Sequence, residues 1–215
     1  MFSTLIFAGT FDPPHYGHIR SGIFAKEALG ANEVVFVPMS EPEIITRLIA
    51  LSFYRVRMLE VYIYENDRED VKVCLEELYR QGTSYTIDLV RAFMERDGPR
   101  VDSYYFLIGE DKLESFSEWA NYESVEHLIE KVVVLCCDKC GKGYRYWDHH
   151  FPPELEKDRF LLMDNIVCPH VSSYQLRHLL ANGHYNDKII LENVHPDVID
   201  CVRSHKLYDR NVRED

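Results

Sequence analysis

The sequence predicts an α/β chain: a doubly wound, mainly parallel sheet in a single domain. Three observations carry this. Short apolar runs recur as continuous stretches rather than strict alternations, the pattern of strands covered on both faces. Helical periodicities lie between them, so strand and helix alternate as in βαβ units. The 215 residues suffice for one sizeable domain, and 46% hydrophobic with 28% charged residues is a globular composition.

The elements follow in order. Leu5 to Ala8 is the first strand, and a helix from about Gly17 to Leu29 ends at Gly30, a natural C-cap. Glu33 to Pro38 forms the second strand, and Phe53 to Tyr64 a helix. Val71 to Leu75 is the third strand. Thr86 to Glu95 follows as a helix with Ile87, Val90 and Met94 on one face. Tyr104 to Ile108 and Val132 to Cys136 are strands, separated by a helix over about Ser124 to Glu130. Residues 139–158 carry Gly, Pro, His and charges and read as a loop or insertion. Phe160 to Met163 is the last strand, and helices over Ser173 to Ala181 and Pro196 to His205 complete the chain. No internal repeat or low-complexity segment interrupts the domain.

Composition narrows the partners. A net charge of −12 argues against general nucleic-acid binding, which selects basic surfaces, but leaves room for a local cationic pocket. The N-terminus has no basic segment ahead of its apolar stretch, and no apolar run approaches the roughly 20 residues of a membrane helix. The expectation is a soluble, cytoplasmic protein with no membrane partner, compatible with a homo-oligomer. Its six cysteines are expected as reduced thiols.

Two motifs point to phosphate chemistry. Gly9-Thr10-Phe11-Asp12-Pro13-Pro14-His15-Tyr16-Gly17-His18 follows the first strand and precedes the first helix. That is the sheet edge where open parallel sheets bind ligands. Gly9 lets a ligand approach the backbone, Thr10 and Phe11 offer backbone N–H groups, and Pro13-Pro14 stiffen the turn. His15 and His18, spaced three apart around Gly17, stand at a helix N-terminus that favours phosphate. Ser172 and Gln175 in Val171-Ser172-Ser173-Tyr174-Gln175-Leu176-Arg177 have capping-box spacing. Ser172, Ser173 and Arg177 there form a second candidate anion site. Read bare, the first motif is also a tight turn with two surface histidines, and the second an ordinary capped helix.

The first motif matches the His-x-Gly-His signature of the nucleotidyltransferase superfamily almost residue for residue. The second resembles that superfamily's Ile-Ser-Ser-Thr-x-x-Arg. Glu76-Glu77-Leu78-Tyr79-Arg80-Gln81-Gly82-Thr83-Ser84-Tyr85-Thr86-Ile87-Asp88 and Tyr105-Phe106-Leu107-Ile108-Gly109-Glu110-Asp111, with Trp119 downstream, resemble segments of the bacterial nicotinate mononucleotide adenylyltransferases. These resemblances span about residues 5 to 180, and the segment from Val194 to Tyr208 resembles that family's last helix.

The resemblance implies a Rossmann-like nucleotidyltransferase fold and direct adenylyl transfer from ATP to nicotinate mononucleotide. It implies His15, His18 and Arg177 as catalytic residues. It gives Gly9, Thr10, Phe11, Gly17, Gly109, Asp111, Ser172 and Ser173 to ATP, and Tyr85, Thr86 and Trp119 to the mononucleotide. Trp119 would stack on the nicotinate ring, a contact worth about 1 kcal/mol beyond burial. Mg2+ would bridge phosphate oxygens, with Asp111 on a ribose hydroxyl or helping to place the ion.

The chain departs from the family's pattern in three places. Tyr174 stands where a Thr is usual. A basic His-Lys pair after the second strand is replaced by the stretch Pro38 to Arg47, so that Arg47, Arg55 or Arg57 would have to supply the charge. Cys136-Cys137-Asp138-Lys139 stands where an Arg is usual, with Lys139 as a substitute. Cys137 and Cys140 have Cys-x-x-Cys spacing, followed by His149 and His150, with Cys136 and Cys168 as further donors. A structural zinc needs four placed donors, and one such pair is a weak signal beside ordinary thiols. Two other readings remain open: a same-fold transferase for nicotinamide mononucleotide or another phosphorylated acceptor, and a non-catalytic nucleotide-binding module.

Overall fold

A computed structural model describes residues 1–40, 50–80, 85–136, 142–164 and 171–209. The strands are β1 (Ser3–Gly9), β2 (Glu33–Pro38), β3 (Val71–Val73), β4 (Ser103–Gly109), β5 (Lys131–Leu135) and β6 (Phe160–Met163). They form one six-stranded sheet in the order β3-β2-β1-β4-β5-β6. Every pairing among the described residues is parallel. The helices are α1 (Tyr16–Leu29), α2 (Ser52–Asn66), α3 (Glu76–Tyr79), α4 (Thr86–Asp97), α5 (Tyr122–Leu128), α6 (Gly143–His149), α7 (Ser173–Ala181), α8 (Lys188–Asn193) and α9 (Pro196–Ser204).

The continuous apolar strands have the physical meaning expected of them. Alternate side chains of a strand point to opposite faces, and here both faces are covered. Leu5, Val34, Phe36, Leu107 and Val133 enter one core with residues of α1, α2, α7, α8 and α9. Ile6, Val35, Val37, Phe106, Ile108, Val132 and Val134 enter the other, with residues of α4, α5 and α6. All six residues of β2 are buried. Helix α1 follows the C-terminal end of β1, a central strand, and closes on Gly30 in the left-handed region (φ 67°).

Some boundaries differ from expectation. β3 stops at Val73, although the Cys74 amide still donates to the Phe36 carbonyl, because the chain turns there into α3. α5 ends at Leu128, and Ile129 is already extended on its way into β5. The 139–158 stretch, expected as a loop or insertion, contains α6. Its first amide and the Trp147 indole N–H both donate to Glu110 Oε2 at 2.8 Å, which ties the helix to the end of β4. α3 and α8, short helices, were also not expected. Cys74 and Cys201 are free thiols and Cys136 is buried, while Cys137, Cys140 and Cys168 lie outside the described residues. No helix among the described residues is long and apolar enough to cross a membrane.

Candidate active site

The strand order reverses between β1 and β4, each leading outward to its own side of the sheet. Such a switch point opens a crevice beyond the strand ends. A cleft of about 590 Å3 occupies it, lined by Ala8, Gly9, Thr10 and Phe11 from β1 and the loop after it, and by Ile108, Gly109 and Asp111 from β4 and the turn after it. His18, Tyr85, Thr86, Lys112, Glu118 and Trp119 also line it. Nine of the sequence-predicted residues therefore share one cavity: Gly9, Thr10, Phe11, His18, Gly109, Asp111, Tyr85, Thr86 and Trp119.

The loop between β1 and α1 is fixed from behind. Arg55 Nη1 donates to the Thr10 carbonyl at 2.7 Å, and Arg177 Nη1 to the Asp12 carbonyl. Ser173 Oγ donates to the Pro13 carbonyl at 2.9 Å, and the Tyr62 hydroxyl to the Pro14 carbonyl at 3.2 Å. Four carbonyls of one short loop are thus held by side chains from α2 and α7. The second motif accordingly docks on the first rather than standing across the cleft from it. Phe11 sits at φ 48°, unusual for a bulky residue, with its ring buried edge-on to Phe7 and Phe36. A Cβ on Gly9 would meet that ring at 3.1 Å, so this glycine makes room for Phe11 as well as bordering the cleft.

His15 and His18 open α1 as a stacked pair, ring centroids 3.7 Å apart. Gly17 is buried between them. The His15 amide donates to His18 Nδ1 at 3.3 Å, so in the neutral ring the proton sits on Nε2. Burial pushes the His15 pKa down to about 4. Burial, with the neighbouring His15, pushes His18 well below its usual range. Both are neutral near pH 7 and serve as hydrogen-bonding groups rather than cations. His15 Nδ1 is buried with no hydrogen-bond partner among the described residues.

The second motif begins with Ser172 as N-cap of α7, its hydroxyl accepting from the Gln175 amide at 3.2 Å. Its hydroxyl proton is left for another acceptor. Tyr174 is exposed, and the Arg177 guanidinium lies 6.0 Å from its ring centre. Trp119 is half-buried, tilted on Phe116 at 4.8 Å and edge-on to Phe106 at 6.3 Å, so it is partly a core residue and partly cleft wall. Tyr85 is half-exposed at the N-cap of α4, and Thr86 is the first helical residue. Asp111 is exposed and paired with Lys112 at 3.0 Å.

Several polar groups escaped the sequence reading. Asp12 is wholly buried; its Oδ1 accepts from the Ala50 amide at 3.2 Å and the Tyr208 hydroxyl at 2.7 Å. Burial raises its pKa, against the lowering effects of Tyr208 and Arg177. Asp12 stood inside the quoted motif, but nothing in the sequence marked Tyr208 as its partner. Arg55, a candidate for the missing phosphate charge, does not face the cleft: it is wholly buried and holds the Thr10 and Ala50 carbonyls. Arg57 is exposed over the Phe53 ring, away from the cleft lining. Arg47, Lys139, His170 and Gln81 to Ser84 lie outside the described residues. Lys112, which no motif marks, is a cation of the cleft wall. No cluster of three or more His, Cys, Asp or Glu residues that could hold a metal occurs among the described residues.

A family model described as cytidylyltransferase-like matches residues 6–179. A protein of Shouchella clausii named "Probable nicotinate-nucleotide adenylyltransferase" is 33% identical over 210 residues, 96% of each chain. One of the same name from Bacillus licheniformis is 36% identical over 206 residues, 95% of this chain and 97% of its own. Among solved structures, the Plasmodium falciparum nicotinic acid mononucleotide adenylyltransferase complexed with NaAD superposes with a TM-score of 0.74 at 20% identity. The match covers 99% of this chain and 100% of that one, and at that identity it speaks to the fold alone. With a phosphate-motif loop, a switch-point cleft and relatives matched over nearly their whole length, the chain belongs to the cytidylyltransferase-like family and, within it, to the nicotinate-nucleotide adenylyltransferases.

Proposed function

We propose that this protein transfers the adenylyl group of ATP to nicotinate mononucleotide, forming nicotinate adenine dinucleotide and pyrophosphate. The observation that carries the reading is the single cleft at the switch point. It gathers Gly9, Thr10, Phe11 and His18 of the phosphate motif with Tyr85, Thr86 and Trp119 of the aromatic wall.

A phosphate oxygen of the mononucleotide attacks the α-phosphorus of ATP. The bond from that phosphorus to the oxygen bridging to the β-phosphorus breaks, and pyrophosphate leaves with the electron pair. The attacking phosphate monoester has a second pKa near 6, so it is largely dianionic at pH 7 and needs no strong base. Catalysis reduces to alignment and charge stabilisation. His18, protonated on Nε2, donates to an α- or β-phosphate oxygen, and His15 beside it does the same. The imidazoles are neutral, so positive charge falls to Arg177, whose remaining N–H groups take the departing β- and γ-phosphates with the Ser172 hydroxyl, while the Ser173 hydroxyl keeps its proton on the Pro13 carbonyl. Trp119 supplies a flat face for the pyridine ring, and Thr86 a hydroxyl for its carboxylate.

Asp111, the exposed carboxylate of the cleft wall, would help to hold Mg2+ beside the nucleotide phosphates. Bound there, the ion supplies neutralisation of triphosphate charge.

The test is pyrophosphate release from ATP and Mg2+ with nicotinate and nicotinamide mononucleotides in parallel. Fast release with the acid form and slow release with the amide is expected. The reverse order assigns the amide as substrate, and no release with either, despite ATP binding, overturns the reading.

A further inference from the structure

We propose that Tyr208, just beyond α9, is a positioning residue for the reaction, holding Arg177 in place through the buried carboxylate of Asp12. The proposal deepens the adenylyl-transfer reading and rests on it for the role of Arg177.

The contacts form one chain of groups. The Tyr208 hydroxyl donates to Asp12 Oδ1 at 2.7 Å, and the Ala50 amide donates to the same oxygen at 3.2 Å. The other oxygen, Oδ2, lies 3.6 Å from Arg177 Nη1 and accepts no hydrogen bond among the described residues. The same Nη1 donates to the Asp12 main-chain carbonyl. Asp12 is wholly buried and Tyr208 nearly so. Bulk solvent is kept from the carboxylate, and these partners orient it.

A carboxyl group turns readily about its last torsion, whose preferences are broad. Two donors converging on Oδ1 stop that rotation and fix Oδ2 toward the guanidinium. Arginine carries five N–H donors in a rigid planar fork, so fixing one edge aims the rest. The remaining donors then point in a set direction before any nucleotide arrives, which is preorganisation of an anion clamp. Tyr208 itself sits at φ 69°, a region that bulky residues rarely occupy and that persists where the surrounding structure over-determines it. Its ring is part of the core shared by α2, α7 and α9, so removal of the hydroxyl alone leaves the ring contacts intact.

The experiment is a double-mutant cycle on the full chain, with Mg·ATP affinity read by titration calorimetry. Tyr208→Phe is made in the unaltered protein and in an Arg177→Lys background, where a flexible point charge replaces the fork. The expected result is about tenfold weaker Mg·ATP binding in the unaltered protein, the scale of one hydrogen bond to a charged group. In the Arg177→Lys background the expected loss is under twofold. Asp12→Asn, which keeps an oxygen for Tyr208 and Ala50 but removes the charge facing Arg177, should weaken binding similarly and gives a second readout if Tyr208→Phe folds poorly. Equal losses in both backgrounds make Tyr208 merely structural and overturn the proposal, as does unchanged affinity in the unaltered protein. Calorimetry with Mg·ATP needs no acceptor, so a failure of the mononucleotide assay leaves this test readable.

Discussion

The paired imidazoles at the start of α1 set the pH behaviour of the apo protein. His15 has a folded pKa of about 4 against about 6.5 when unfolded. Between those values the unfolded chain binds the extra proton, so folding stability rises with pH there. The contribution is complete above pH 6.5 and is lost as pH falls through 6 and 5 toward 4, a change of about 3 kcal/mol for this one group. Melting temperatures measured from pH 7.5 to 4.5 should therefore fall steeply, and the non-titrating His15→Gln should lower the slope by about one proton. Both imidazoles stay neutral in the proposed complex, so the calorimetric heat of Mg·ATP binding near pH 7 should not depend on buffer ionisation enthalpy. For turnover, His18→Ala should lower kcat/KM about 100- to 1,000-fold, the usual loss of a preorganised phosphate donor. Unchanged turnover would remove His18 from the mechanism. The residues of this site were legible because His15, His18, Ser172 and Arg177 stand in compact strings of recognisable spacing. Arg55 was legible as a basic residue but not as a buried one, because a single sequence does not tell a cation that faces a ligand from one that holds a main-chain carbonyl.

Among the elements, α1 lies close against β2 at one point. A Cβ on Gly22 would come within 2.6 Å of Phe36 Cζ, and Phe36 is fully buried. Gly22→Ala would gain about 1 kcal/mol of helix propensity. Overpacking against a ring that cannot move costs about 1–3 kcal/mol, so the balance is destabilising. The melting temperature should drop by ~2–4 °C per kcal/mol lost. At Gly109 the comparable contact is Asp111 Oδ1 at 2.5 Å, the far end of an exposed side chain. Gly109→Ala should therefore leave thermal stability nearly unchanged while moving Asp111, read as an altered Mg2+ requirement in the turnover assay. The long elements were legible because their periodicities run over enough residues to be distinctive. α7 matched from end to end, since Ser172 and Gln175 advertise its start. α6 and α8 were not legible: seven and six residues offer less than two turns of pattern. α6 exists through Glu110, Trp147 and Gly143, a tertiary arrangement rather than a local one.

For the whole molecule, alternating strand and helix predicted the doubly wound sheet, and the pairings are parallel throughout the described residues. The sheet edge chosen for the first motif was also legible, since the end of β1 before a helix is where such a sheet opens. The cleft itself was only partly so, because it needs β1 and β4 side by side, a fact of strand order. Trp119 illustrates the scale: its ring leans on Phe106 and Phe116, so Trp119→Ala should cost stability as well as the affinity for the mononucleotide. A shift in KM for the mononucleotide beyond that for ATP would separate the two effects. The contact between Asp12 and Tyr208 joins residues 196 positions apart, and no local pattern announces it. That contact has a consequence for how the protein comes into being. The phosphate loop is translated well before Ser173, Arg177 and Tyr208, which hold it. A nascent chain stalled before residue 208 carries the whole first motif and still lacks its anchor, so full nucleotide-binding competence is expected only once the ribosome has passed that residue.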